Sequence, residues 1–134
     1  MESRWINEQY AQIAQDLIDT EDVLADIANS HATIVYLSSD HAPKTKDTVK
    51  QAVCEKVADK NNWAIPADFT ITVYEPNIVG FSEEQLKILL FHELLHVGIE
   101  FKEDNSETYY CKEHDYQDFK IIIDRFGTDW SRVI

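Results

Sequence analysis

Apolar positions along this chain fall into helical, alternating and near-continuous spacings, and each spacing predicts a different element. Trp5, Ile6, Tyr10, Ile13, Ala14, Leu17 and Ile18 recur at helical spacing with acids and amides between them, which predicts an amphipathic helix packed on a core. Asp19-Thr20-Glu21-Asp22 supplies cap-type residues, so the helix restarts there, runs through Val23, Leu24 and Ile27, and ends near Asn29. Ala32 to Leu37, with Thr33-Ile34-Val35-Tyr36 inside it, is β-branched and aromatic and predicts a short strand, followed by a loop from Ser38 to Lys44. From Thr45, the stripe Val49, Ala52, Val53 and Val57 predicts a second helix with lysines outside it, ending at Asn61-Asn62. Trp63 and Ile65 around Pro66 read as a tucked connection. Phe69 to Tyr74 alternates with period two and predicts a strand with one apolar face.

The near-continuous spacing comes next. Ser82, with Gln85 three positions on, carries a capping-box signature. Leu86, Ile88, Leu89, Leu90, Phe91, Leu94, Leu95 and Val97 are then apolar nearly all round, interrupted by Lys87, before Gly98 ends the helix. Such a helix belongs in the middle of a domain. Glu100 to Cys111 is polar, with a turn at Asp104-Asn105-Ser106 and a brief strand at Thr108 to Cys111. Asp115 is a natural N-cap for a last helix whose face is Phe119, Ile122, Ile123 and Phe126; Gly127 closes it and Trp130 returns the tail to the core. With neither repeats nor a linker, residues 1–134 are expected to form one domain.

Composition narrows the function classes. The net charge is −13, with the excess of acids in residues 1–30 and 66–134, and such a chain repels phosphate backbones. Lys44, Lys46, Lys50, Lys56 and Lys60 read as a solvated helix face rather than a nucleic-acid patch. No stretch is long and apolar enough for a membrane span, and the start is amphipathic and acidic, which disfavours secretion and points to the cytoplasm. Two cysteines, Cys54 and Cys111, make no disulfide framework.

The candidate chemistry lies in Phe91-His92-Glu93-Leu94-Leu95-His96-Val97. On a helix, His92 and His96 stand one turn apart on one face and can reach one metal ion. Glu93 lies roughly 100° round from His92, placed to hold a metal-bound water without being a ligand. Two histidines and a carboxylate on so apolar a helix are costly unless paired or metal-bound. His-Glu-x-x-His is the zinc hydrolase pattern, in which three protein ligands leave one position for water. His114, eighteen positions beyond His96 at the mouth of the next helix, is the favoured third ligand. The carboxylates Glu107, Glu113 and Asp115 could serve instead, Asp115 reading better as a cap or as a group that orients a ligand. His31 and His41 read as solvated residues flanking the first strand. The metzincin variant needs Gly and His where this chain has Ile99 and Lys102. Glu93 is the expected acid/base, and Tyr109, Tyr110 and Tyr116 are undifferentiated candidates for stabilising an oxyanion.

Leu89 to His96, then His114-Asp115-Tyr116-Gln117-Asp118-Phe119, then Arg125-Phe126-Gly127-Thr128-Asp129-Trp130, resemble the putative phage metallopeptidase family, which is similar to the SprT-like and WLM-type minimal zincins. The resemblance implies an α+β, minimal zincin-like domain, its small mixed sheet packed against helices that include the His-Glu-x-x-His helix. It implies one Zn(2+) on His92, His96 and His114, with Glu93 catalytic. It also implies an edge strand, assigned to Phe69–Tyr74, on which an extended peptide lies. Phe119 stands five positions after His114 where the relatives have four, so their substrate preferences do not carry over. The expected function is zinc-dependent hydrolysis of a protein or peptide, without nucleic-acid or membrane partners. Two rival readings are a zinc-binding regulatory or interaction protein on the same scaffold, and hydrolysis of a non-peptide amide.

Overall fold

The computed structural model describes residues 1–45, 48–58, 66–113 and 119–132. Four of its strands form one mixed sheet: β1 (Arg4–Ile6), β2 (Ile34–Ser39), β3 (Ala52–Lys56) and β4 (Phe69–Tyr74), in the order β1-β2-β4-β3. β2 and β4 run parallel, while β1 and β3 are antiparallel to their neighbours. Helices α1 (Glu8–Thr20) and α3 (Glu83–Leu95) pack on each other and reach the sheet at β2 and β3 respectively. The short α2 (Ala25–Ala28) follows a 3₁₀ turn at Asp22–Leu24, as the cap-type residues before it predict. β5 (Val97–Phe101) and β6 (Glu107–Cys111) form a separate antiparallel hairpin, and α4 (Lys120–Phe126) comes last. The class is therefore mixed α+β, with a small mixed sheet against helices.

The first helix begins later than its apolar stripe. Trp5 and Ile6 pair with Ser38 and Leu37 in β1 and lie exposed. Asn7 imposes the boundary: its N–H donates to the Tyr36 carbonyl (2.9 Å), and its side chain accepts from the Tyr10 N–H (3.1 Å) as an N-cap. β2 runs on to Ser39, into the expected loop. Its two terminal serines are fully buried because their hydroxyls are satisfied, Ser38 by Glu75 (3.0 Å) and Ser39 by Glu2 (2.6 Å).

The largest correction concerns Thr45 to Asn61, expected as a helix. Its described part contains β3, preceded by an antiparallel bridge between Lys44 and Val49, beside which the Lys50 N–H donates to Pro43 O (3.1 Å). Val49, Val53 and Val57 satisfy a helical stripe by spacing, but β-branching favours extended backbone, and a short apolar run does not separate the two periods. Lys50 and Lys56 accordingly do not share a helix face. Residues 59–65, with Trp63 and Ile65, lie outside the described residues, as do Lys46 and Lys60.

β3, not β4, is the edge of the described sheet beside α3. β4 is central, between β2 and β3, so the expected edge role of Phe69–Tyr74 is corrected. Its apolar face, Phe69, Ile71 and Val73, joins the helix-covered core as the alternation predicts, and Thr70, Thr72 and Tyr74 are buried on the other face. The Tyr74 N–H donates to Gln51 O and the Val57 N–H to Asp68 O, both at 2.9 Å. In an antiparallel ladder such bonds fall on alternate residues, so odd-numbered β3 residues bond to β4. Ala52 and Cys54 then direct their N–H and C=O groups away from β4.

α3 meets its expectation at the N-terminus and departs from it at the other end. Ser82 and Gln85 form both bonds of the capping box, and Ile88 to Phe91 and Glu93 to Leu95 are buried, so the helix is enclosed on nearly all sides. It stops at Leu95, with His96 as C-cap, rather than at Gly98. Val97 and Ile99 turn into β5 opposite Cys111 and Tyr109. Gly98 leaves room there for the Tyr110 ring, which lies against that backbone: a Cβ would stand 2.5 Å from it, and the exposed ring would have to swing aside. At the far end, Gly127 ends α4 at φ 76°, a backbone region that suits glycine. The expected cap Asp115 lies outside the described residues.

Two substitutions in α3 should separate its local and tertiary stabilisation in urea unfolding. Ser82→Ala, which removes the cap, should cost about 1 kcal/mol. Leu94→Ala, at a site of 0% exposure, should cost about 2–5 kcal/mol. An equal and small cost for both would contradict the enclosed position of the helix.

Candidate metal centre

The last turn of α3 carries His92 and Glu93, and His96 caps it in helical conformation (φ −74°, ψ −19°). The i, i+4 relation therefore survives although the helix has formally ended. The two imidazole centroids are 5.1 Å apart, and His92 Nε2 lies 3.6 Å from Glu93 Oε2. One ligand atom each from His92, Glu93 and His96 fits within 4.8 Å of the others. Glu93 is 4% exposed, a carboxylate taken almost wholly out of water by its helix.

His96 is fixed twice to the end of β6. Its Nδ1 lies 2.6 Å from the Lys112 carbonyl oxygen, and the Lys112 N–H donates to the His96 carbonyl, also at 2.6 Å. A carbonyl only accepts, so Nδ1 carries the proton, and the neutral ring then has its lone pair on Nε2. That is the tautomer a metal-binding imidazole uses when its other nitrogen is held by a carbonyl. Phe119 stands edge-on to both rings, with centroids 5.5 Å from His92 and 4.9 Å from His96, and Trp130 is 6.2 Å from His92. Gln85, already half of the capping box, donates from Nε2 to the Trp130 and Arg132 carbonyls (3.1 and 2.7 Å), which holds the tail beside α3.

These groups open into a cleft of about 1010 Å³. Thr48 to Cys54 forms one wall; Ile123, Thr128, Trp130 and Ser131 line the cleft with Leu89, His92, Glu93 and His96. The donor set, two imidazoles with one ring oriented by a carbonyl and a buried carboxylate beside them, fits a borderline-soft divalent cation better than a hard one that prefers oxygen. The structure thus brings together three of the site residues expected from the sequence.

The fourth, His114, lies outside the described residues, with Asp115 and Tyr116. Glu107, Tyr109 and Tyr110 are engaged away from the cleft. Glu107 accepts from the His31 N–H (2.9 Å), from the Tyr109 hydroxyl (2.8 Å), and pairs with His31 Nδ1 (2.9 Å). These bonds, His31's backbone first, hold its carboxyl below the usual carboxylate range. Burial, followed by the Glu107 bond, pushes the Tyr109 hydroxyl up to about 12. Tyr109 packs on Phe69, with ring centroids 5.8 Å apart, and Tyr110 lies against Gly98; neither lines the cleft. Glu113 lines a second cavity of about 660 Å³. His41 is exposed, edge-on to Tyr74 at 6.2 Å. Sequence reasoning did not find the Lys112 carbonyl, since any residue supplies one. It also missed the wall formed by β3.

The model of one protein family, described as putative phage metallopeptidase, matches residues 3–134. No curated protein and no solved structure matches the chain.

The Glu107 clamp, which joins the segment before β2 to the hairpin, sets a pH dependence. A carboxyl whose folded pKa is depressed adds stability above its unfolded pKa, and that stability is lost as pH falls through the folded value. Glu107→Gln should therefore lower the melting temperature at pH 7, and the difference from the parent protein should vanish as the pH drops below the carboxylate range. A constant difference down to the lowest pH would show that the charge is not what holds the clamp.

Proposed function

The chain belongs to the putative phage metallopeptidase family over residues 3–134, and from that membership we propose that it is a single-domain, zinc-dependent peptidase acting on an extended segment of a protein or peptide. The observation that carries this reading is the convergence of His92, Glu93 and His96 within 4.8 Å at a cleft walled by a sheet edge. His92 and His96 would hold the metal with His114 as third ligand. Zinc so held supplies positive charge that acidifies a water molecule and polarises the scissile carbonyl.

The chain's own groups do the rest. Glu93, beside His92 and shielded from solvent, accepts the proton of the attacking water and returns it to the leaving amine. The Lys112 carbonyl keeps the His96 ring in its lone-pair orientation throughout. The substrate backbone is aligned along the outer edge of β3 at Ala52, whose N–H and C=O face away from β4. No helix is long and apolar enough to cross a membrane, and the net charge of −13 disfavours nucleic acid as a partner.

Metal analysis and proteome digestion test the proposal together. The purified protein should retain near-stoichiometric zinc; His92→Ala and His96→Ala should each lose it, and His114→Ala should weaken its retention by ~10-fold or more. Glu93→Gln should keep the zinc and lose peptide cleavage by at least ~100-fold. Equal behaviour of the parent and Glu93→Gln, both with zinc bound, would replace the peptidase by a zinc-bound interaction protein. Absence of zinc from the parent would remove the site altogether.

A further inference from the structure

The chain has two cysteines, 57 residues apart, and the fold brings them into contact from different sheets. Cys54 is in β3, the cleft wall, and Cys111 ends β6, the second strand of the hairpin. The Cys111 Sγ lies 3.7 Å from the Cys54 carbonyl oxygen, which places the two thiols close enough to influence each other electrostatically. β3 and β6 pass within 8 Å of each other, Cα to Cα, a range that includes the separation a disulfide spans. Both thiols are reduced, with Cys111 exposed and Cys54 partly buried and lining the cleft.

We propose that Cys54 and Cys111 are a reversible oxidation site, closing under a peroxide to one disulfide that staples the edge strand of the sheet to the hairpin. No other cysteine competes for either thiol. Exposed Cys111 meets the oxidant. Its sulfur attacks one peroxide oxygen, the O–O bond breaks, and Cys111 becomes a sulfenic acid with release of water. The Cys54 sulfur then displaces hydroxide from the Cys111 sulfur, its thiol proton leaves with the hydroxide as a second water, and the S–S bond forms. Two thiols have lost two electrons, and one hydrogen peroxide has become two waters. A dithiol reductant reverses the step by exchange. Burial, then the neighbouring Cys111, pushes the Cys54 thiol above its ordinary range, in keeping with its part as the second sulfur to react.

The position gives the bond a consequence. Cys54 lines the cleft from β3, and Cys111 precedes Lys112, whose carbonyl orients His96. A disulfide here ties the cleft wall to the support of the metal centre. Nothing in this inference requires the peptidase reading.

The test uses the full-length protein treated with equimolar hydrogen peroxide, then denatured, alkylated and mapped by mass spectrometry. The expected product is a monomer two hydrogens lighter, with the Cys54 and Cys111 peptides joined. Its melting temperature should rise by several degrees and return on dithiothreitol treatment, since closing so long a loop restricts the unfolded chain. Cys54→Ser and Cys111→Ser should each abolish both changes. Oxygen adducts or intermolecular dimers in place of the joined peptides, with the protein still folded by circular dichroism, would overturn the proposal. So would a disulfide that leaves the melting temperature unchanged or lowers it, because the bond would then not be a staple.

Discussion

The structure depends on the enclosure of α3. Leu90, Phe91 and Leu94 are at most 2% exposed, and each such side chain contributes about 1.5–3 kcal/mol on leaving water. That apolar hold is what allows the same helix to carry Glu93 almost completely buried beside two imidazoles. A surface helix would leave these groups hydrated and loosely placed. Here their backbone cannot shift without disturbing packing against α1 and the sheet. The polar constellation is thus rigid for an apolar reason, and it faces a cleft because one side of the helix end is left open by β3 and the tail.

The hairpin completes what the helix begins. By stopping at Leu95, α3 frees the His96 carbonyl to receive the Lys112 N–H, while the His96 ring meets the Lys112 carbonyl. One residue of β6's continuation therefore fixes both the main chain and the side chain of His96. Gly98 takes part by letting the Tyr110 ring lie against the strand that carries His96 into β5. The chain past the motif is a brace for the second histidine, and the Arg132 and Trp130 carbonyls, held by Gln85, brace the first from the other side.

How much of this could be read from the sequence differs by element. The capping box at Ser82, the buried run from Ile88 to Leu95, the alternating Phe69–Tyr74 strand and the His92, Glu93, His96 cluster are all local patterns, and all are present. What failed was non-local. Val49, Ala52, Val53 and Val57 fit a helix period, and only the pairing of β3 with β4 resolves them as extended chain. The order β1-β2-β4-β3 follows from a parallel connection that no short window contains, so Phe69–Tyr74 reads locally as an edge although it is central. Trp5 and Ile6 fit the helical stripe, but bonding of Asn7 to Tyr36 decides their state. The Cys54–Cys111 contact unites residues that nothing in their spacing associates.

Charge shows the same separation of local from global. The chain carries −13, from which attraction of basic substrates is the natural first inference. The cleft is lined differently: among the described residues its charged side chains are Lys50 and Glu93, with valines, threonines, a leucine, an isoleucine, a tryptophan, Gln51, Ser131 and two histidines beside them. A distant field falls off within about 10 Å at ordinary salt, whereas groups in contact with a bound chain are little screened. The acidic exterior therefore acts on approach at long range, not on groups already in contact. Among the described residues, the cleft presents one exposed lysine on its wall and one buried carboxylate at its floor. The apolar contacts the described cleft offers are at Val49, Ile123 and Trp130, and they do not depend on the acidity of the whole.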